Sequence, residues 1–212
     1  MEILTHLKNK YSLDLEQEII KVPFDRFRGL TGLFKEAGFK VGAEIGVYKG
    51  KYSKWLCVKN SGSKLFLIDP YKAYPEYVEQ HDEAGQKVMD QCYKEAQERL
   101  TRFNVEFIKK TSMEALNDFV DESLDFVFID GNHTFEYVVA DIAGWSKKVK
   151  KGGIVSGHDY YRSIESKKMR ERYGEGALKL IQTKDAVDGW VKANRIKPLF
   201  LTTESSWFYV KI

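Results

Sequence analysis

The sequence predicts an α/β fold, a mainly parallel sheet with helices on both faces, and three observations carry that expectation. Five short apolar runs of strand character alternate with stretches whose apolar residues recur at helical spacing, the pattern of successive β/α units. The chain closes on two more apolar runs, Leu199–Thr202 and Trp207–Val210, parted by Glu-Ser-Ser, which reads as a hairpin. With 43% hydrophobic residues in 212, one well-filled core is affordable and a single domain over 1–212 is the simplest organisation, a helical extension over 1–38 leading into the Rossmann-like core of 39–212.

Each element follows from local chemistry. Residues 1–38 read as amphipathic helix ending near Gly38. Val41–Ile45 is the first strand, and the helix over 51–60 draws its apolar face from Tyr52, Trp55, Leu56 and Val58. Lys64–Asp69 is a buried strand stopped by Pro70, which has no N–H to extend a ladder. A Tyr-rich segment, Tyr71 to His81, precedes a helix over 83–101 with Val88, Cys92, Ala96 and Leu100 in one row. Val105–Ile108 is the third strand, and Thr111-x-x-Glu114 matches a capping box that opens a short helix through Leu116. Leu124–Asp130 is the fourth strand, followed by a helix with Val138, Ile142, Trp145 and Val149 on one face. Gly152–Ser156 is the fifth. A polar, mobile-looking segment from Tyr161 to Glu175 and a helix over 177–194 lead to the hairpin.

Composition narrows the function. A net charge of +3 in a chain that is 31% charged is too small and too scattered for a nucleic-acid surface. The densest basic run, Lys147 to Lys151, falls at a helix C-terminus, where cations complement the carbonyls. Cys57 and Cys92 show no metal spacing and fit a reduced cytoplasmic protein with buried thiols. The N-terminus lacks the basic and apolar regions of a signal peptide, and no apolar run reaches the roughly 18 residues of a membrane span.

In open α/β sheets ligands bind beyond the carboxyl ends of the strands, so the residues that close each strand are the candidates. Behind the first strand, Glu44-x-Gly46-x-Tyr48-x-Gly50 is a glycine turn running into a helix, a place where a ligand can approach bare backbone. Glu44 argues against a pure phosphate cradle, and the glycine spacing fails the dinucleotide fingerprint; the turn suits a ligand with a positive or zwitterionic group. Asp69 closes the second strand, where a carboxylate can accept from a ribose diol, or initiate a turn with Pro70. Ser112 is placed either to touch an adenine ring or to cap a helix. Tyr48, Tyr71, Tyr74 and Trp55 are pocket or core aromatics, and Trp145 is core. Asp130, His158 and Asp159 offer oxygen and imidazole ligands to Mg²⁺ or another divalent ion, with helix capping as the alternative role for the acids. His133, three residues past Asp130, can reach back to take a proton from a substrate hydroxyl.

Taken together, Glu44-x-Gly-x-x-x-Gly50, Asp69, Phe128-Ile-Asp-Gly-Asn-His-Thr-Phe-Glu-Tyr137 and Lys151-Gly-Gly-Ile-Val-Ser-Gly-His-Asp-Tyr160 resemble the class I S-adenosylmethionine-dependent methyltransferases, nearest to the macrocin-type and catechol-type small-molecule O-methyltransferases. The resemblance covers roughly 40–212. It implies an α/β/α sandwich around a seven-stranded, doubly wound sheet whose C-terminal strand inserts antiparallel. It implies that Glu44 orients the turn near the methionine ammonium, that Gly46 to Gly50 pack against the amino-acid portion of S-adenosylmethionine, and that Asp69 holds the ribose. In the metal-dependent branch Asp130, His158 and Asp159 would hold Mg²⁺; in the catechol-type relatives the base is a lysine where this chain has His133. Asp130 and His133 are thus the expected catalytic pair, and Asp130 also borders the cofactor. Similar enzymes dimerise through N-terminal helices.

The implied reaction is methyl transfer to a hydroxyl of a small sugar, polyketide-like or phenolic molecule, with no nucleic-acid or membrane partner. A nicotinamide oxidoreductase is disfavoured by the glycine spacing and by the lack of a Tyr-x-x-x-Lys dyad. A nucleoside- or partner-binding domain without catalysis, and transfer to N or C, stay open. The acceptor would be read by residues 1–38, Tyr71 to His81 and Tyr161 to Glu175, with Tyr160, Tyr161 and Arg162 near the rim.

Overall fold

The computed structural model describes residues 2–73 and 85–212; expectations for 74–84, Tyr74 among them, lie outside the described residues. In chain order the helices are α1 (Ile3–Tyr11), α2 (Thr31–Glu36), α3 (Lys51–Lys59), α4 (Gln86–Leu100), α5 (Ser112–Ala115), α6 (Phe135–Lys148), α7 (Lys167–Tyr173) and α8 (Thr183–Ala193). The strands are β1 (Ile19–Lys21), β2 (Val41–Ile45), β3 (Lys64–Ile68), β4 (Val105–Ile108), β5 (Leu124–Ile129), β6 (Val149–Gly157), β7 (Leu199–Leu201) and β8 (Trp207–Val210). They form one sheet in the order β1-β7-β8-β6-β5-β2-β3-β4. Only β8 runs against its neighbours, β6 and β7. The expected α/β sandwich is therefore present, and strand order reverses between β2 and β5, which places the ligand-binding crevice at their carboxyl ends.

Side-chain alternation along the strands builds two cores. On β5, Phe126 and Phe128 pack toward Leu7, Phe34, Leu56 and Leu100, whereas Val127 and Ile129 pack toward Val138, Ile142, Trp145 and Val187. On β8, Phe208 joins the first cluster and Trp207 and Tyr209 the second. The α4 row of Met89, Cys92, Ala96 and Leu100 is buried, with Val88 only at its margin. On α3, Tyr52 and Leu56 are buried, but Trp55 and Val58 face outward, so the helix is narrower in its apolar face than the sequence suggested.

The sheet has eight strands rather than seven because residues 1–38 are not helical throughout. Ile19–Lys21 pairs in parallel with β7, and bonds from Val22 N to Leu201 O (2.8 Å) and from Leu199 N to Glu18 O (2.8 Å) extend the ladder. Otherwise β7, three residues long, would leave a row of unpaired backbone groups at the sheet edge. A three-residue strand with only Ile20 buried is too short to register as alternation. The N-terminal segment also continues as a π-helical turn, Arg26–Leu30, capped by the Asp25 carboxylate accepting from Arg28 N (2.7 Å). Ile3, Leu7, Leu30, Leu33 and Phe34 share the first core, so this segment belongs to the domain.

Two further boundaries differ. Val149 opens β6 instead of closing the preceding helix. Within the segment read as polar and mobile, Lys167–Tyr173 is helical with Ser166 as N-cap; the next helix begins at Thr183, after a 3-10 stretch at Gly174–Lys179. No helix of the described residues is long and apolar enough to cross a membrane.

Candidate active site

The turn after β2 holds its shape through contacts distant in sequence. Gly46 has φ +84°, and a Cβ there would lie 2.1 Å from the Asp130 carbonyl oxygen. Gly46 N donates to Ile68 O (2.9 Å) and Asp130 N donates to Ile45 O (2.7 Å), so three strand ends are tied at this glycine. Tyr48 is left-handed at φ +50° and half exposed. Gly50 (φ +65°) starts α3 and faces α4: its Cβ would meet Leu100 and Ala96 at 3.0–3.4 Å. Its role here is helix packing, away from the ligand cleft.

Asp69 supports that turn directly. Its Oδ2 accepts from Val47 N (3.0 Å) and Tyr48 N (2.9 Å), and its Oδ1 accepts from Tyr71 N (2.8 Å). Burial raises its pKa and these three N–H groups oppose the rise. The carboxylate thus anchors the turn, and any diol must share its remaining lone pairs.

Around these groups lies a cleft of about 340 Å³, a size suited to a small-molecule ligand. Gly46, Tyr48, Asp69, Ser112 and Asp130 line it together, as the sequence led one to expect, with Tyr71 and Met89 among the apolar walls. Glu44 and Gly50 do not line it. Glu44 is on the opposite face of β2 from Ile45, buried, its Oε2 without a hydrogen-bond partner among the described residues. Burial pushes its carboxyl up to about 8, the Ser53 hydroxyl opposing, with Asp130 adding to the rise. A carboxyl that holds its proton more tightly when folded stabilises fully below about pH 4.5, and that contribution is lost as pH rises through 8. Glu44→Gln is therefore expected to flatten the fall in melting temperature between pH 5 and pH 8.5. The effect is on the order of a few kcal/mol at the upper pH, and an unchanged profile in differential scanning calorimetry would contradict it.

Ser112 is not the helix cap; Thr111 is, in a reciprocal capping box with Glu114. The Ser112 hydroxyl instead donates to Asp141 Oδ1 and accepts from Trp145 Nε1 (2.8 Å). Trp145 is fully buried, as expected.

Asp130 is shared between this cleft and a cluster of acids and imidazoles. His133 Nε2 is 3.3 Å from Asp130 Oδ1 and 3.2 Å from Asp159 Oδ2. His158 Nδ1 lies 2.9 Å from Asp159 Oδ1 and 3.7 Å from Asp130 Oδ1, and its Nε2 lies 3.4 Å from Glu204 Oε2. Burial works against a cation at His158, but Asp130, Asp159 and Glu204 overcome it and push its pKa up to about 11. Against the cost of burial, the two histidines hold Asp130 well below the usual carboxylate range. Asp130, His133 and Asp159 each bring one ligand atom within 4.8 Å of the others. By distance, His133 rather than His158 completes this set with the two acids, so the grouping differs from the expected Asp130, His158 and Asp159 in its imidazole.

Two members of the cluster escaped the sequence reading. Glu204, in the β7–β8 turn, accepts from Arg26 N (2.9 Å) and Thr202 Oγ1 (2.7 Å) and is held down to about 2, His158 being the main partner that opposes its burial. Arg26 puts its guanidinium 3.7 Å from Asp130 and 3.9 Å from Glu204, over the rings of Phe27, Tyr52 and Phe128. The available signals were weak: an arginine directly after a capping aspartate, and a lone acid inside a hairpin turn. Arg162 and Tyr160, expected at the rim, are bonded to Asp185 and Asp188 of α8 and anchor that helix.

Residues 43–160 match a family described as "Methyltransferase domain". The chain belongs to this methyltransferase family. Solved structures agree on the fold. A protein assigned as a caffeoyl-CoA O-methyltransferase from Staphylococcus aureus superposes with a TM-score of 0.66 at 14% identity, covering 100% of this chain and 91% of that one. The O-methyltransferase from Bacillus cereus in complex with SAH gives 0.58 at 16%, over 99% and 89%. The N-methyltransferase NodS from Bradyrhizobium japonicum gives 0.52 at 14%, over 85% and 89%. A curated relative, the uncharacterized protein y4gI of Sinorhizobium fredii, is 38% identical over 52 residues, 24% of this methyltransferase and 6% of that protein.

Proposed function

We propose that this methyltransferase uses S-adenosylmethionine to methylate a hydroxyl of a small acceptor, of sugar, polyketide-like or phenolic type, with His133 as general base. One observation carries the reading: Asp130 belongs both to the ligand-sized cleft and to the acid–imidazole cluster, so a cofactor and an acceptor would meet across a single side chain. The cleft residues fit a nucleoside with an amino-acid tail, offering a glycine turn, a buried carboxylate at Asp69 and apolar walls. When bound, the sulfonium supplies an activated methyl group and a good leaving group. What the chain must do is align the hydroxyl in line with that methyl and take the hydroxyl proton. His133 takes up the proton, Asp130 and Asp159, which face its Nε2, steady the resulting imidazolium, and Arg26 and His158 offset the surrounding acids. Two free, buried cysteines suit a cytoplasmic setting.

Asp130, His133 and Asp159 also fit a divalent ion, and an imidazole in the set favours Mn²⁺ or Zn²⁺ over Mg²⁺. Such an ion would lower the pKa of an acceptor hydroxyl and fix its direction. It would also occupy the nitrogen through which His133 meets both acids, so base and ligand roles exclude each other there.

Calorimetric titration with S-adenosylhomocysteine, with and without Mg²⁺ or Mn²⁺, tests the reading. Micromolar binding without metal is the expected result. Binding that requires the ion and disappears in Asp159→Ala would make His133 a ligand; no binding under any condition would leave only the fold.

A further inference from the structure

On α6, one turn before Trp145, Asp141 is a carboxylate only 3% exposed that has no part in the chemistry above. Desolvation of that size is retained only where something accepts or uses the group. Its Oδ1 takes the Ser112 hydroxyl, whose oxygen is in turn fixed by the indole N–H of Trp145. Its Oδ2 is turned toward the segment after β5, 3.8 Å from where a Cβ on Gly131 would stand. Asp141, Ser112, Gly131 and Asn132 all line the cleft, with Ile68, Pro70 and Met89 forming apolar walls for a flat ring. Asn132 has its Oδ1 committed to Thr134 N (3.0 Å), and its buried Nδ2 has no hydrogen-bond partner among the described residues.

Resting on the cofactor reading above, we propose that Asp141 is the residue that selects a 6-aminopurine, its Oδ2 accepting from the exocyclic amine while Asn132 Nδ2 donates to a ring nitrogen. An acceptor and a donor on one wall match the amidine edge of adenine. A 6-oxopurine presents a carbonyl oxygen to the carboxylate instead, and its like-signed dipole is rejected. Ser112 is a positioning residue: its hydroxyl, oriented by Trp145, decides which carboxylate oxygen faces the ligand. Burial also pushes Asp141 up to about 7, with the Ser112 bond opposing, so the acceptor form dominates only in neutral to alkaline buffer and the titrations belong at pH 8.

The test is calorimetric titration at pH 8 with S-adenosylhomocysteine and with its 6-oxo analogue, S-inosylhomocysteine, on the whole protein. The parent is expected to prefer the adenosyl form by roughly 10- to 100-fold. Asp141→Asn, nearly isosteric, turns an amide N–H toward the purine and is expected to bring that ratio to about one or below. Ser112→Ala narrows the ratio by a smaller factor, which guards against a folding defect in the first variant; thermal melting of both reports on the fold. An Asp141→Asn protein that melts normally and keeps the full preference overturns the assignment. Failure of the parent to bind either ligand overturns the cofactor reading itself, a different outcome from the first.

Discussion

His133→Ala is expected to lower kcat by about 10²- to 10⁴-fold, the usual span for losing a positioned general base, while the affinity for S-adenosylhomocysteine stays within about twofold. The argument is geometric. The imidazole is nearly buried, its Nε2 lies within 3.3 Å of carboxylates on two different strand ends, and it does not line the ligand-sized cleft. A group so held cannot swing away, and the imidazolium formed on proton uptake would be stabilised between two acids. The measurement is initial rate with any acceptor the parent turns over, paired with calorimetry for the cofactor product. A variant with unaltered kcat would remove His133 from the chemistry; a variant that loses cofactor affinity equally would recast it as structural.

Gly46→Ala should have the largest effect on stability, roughly 3 kcal/mol or more, because it combines a left-handed φ with a hard clash. The added Cβ would stand 2.1 Å from the Asp130 carbonyl oxygen and 2.8 Å from Gly131 Cα, both backbone atoms with no rotamer to yield. Gly50→Ala is the internal control. Its Cβ would first meet the terminal methyl of Leu100 at 3.0 Å, which can shift, so the cost should be closer to about 1–2 kcal/mol. Urea denaturation of the two variants decides the matter. Equal losses, or a stable Gly46→Ala protein, would mean that the β2 and β5 ends are not locked together as described. The coupling has a functional consequence: separating those ends moves Asp130 relative to the turn that Asp69 holds, so cofactor affinity should fall with stability in Gly46→Ala.

The strand ends were legible in the sequence because strand-forming runs and their stops are local. Val41–Ile45, Lys64–Ile68, Val105–Ile108 and Leu124–Ile129 appear where alternation, Pro70 and the polar residues that follow them place them. Given a parallel sheet, Asp69, Asp130, His133 and Asp159 had to meet at one edge, and they do. Roles were less legible than positions. Nothing local shows that Gly46 is small because the Asp130 backbone passes beside it, or that Asp69 spends its lone pairs on three backbone N–H groups.

By itself the sequence determined the order of elements, the class of sheet and the acidic rim, since these follow from residue spacing within a few turns of chain. Only the tertiary structure decided that Arg26 and Glu204, 178 residues apart, close that rim, that Ile19–Lys21 adds an edge strand, and that Asp141 faces the cleft. The physical reason is the same in each case: these groups are fixed by desolvation and pairing with partners distant in sequence, and such energies have no imprint on local periodicity.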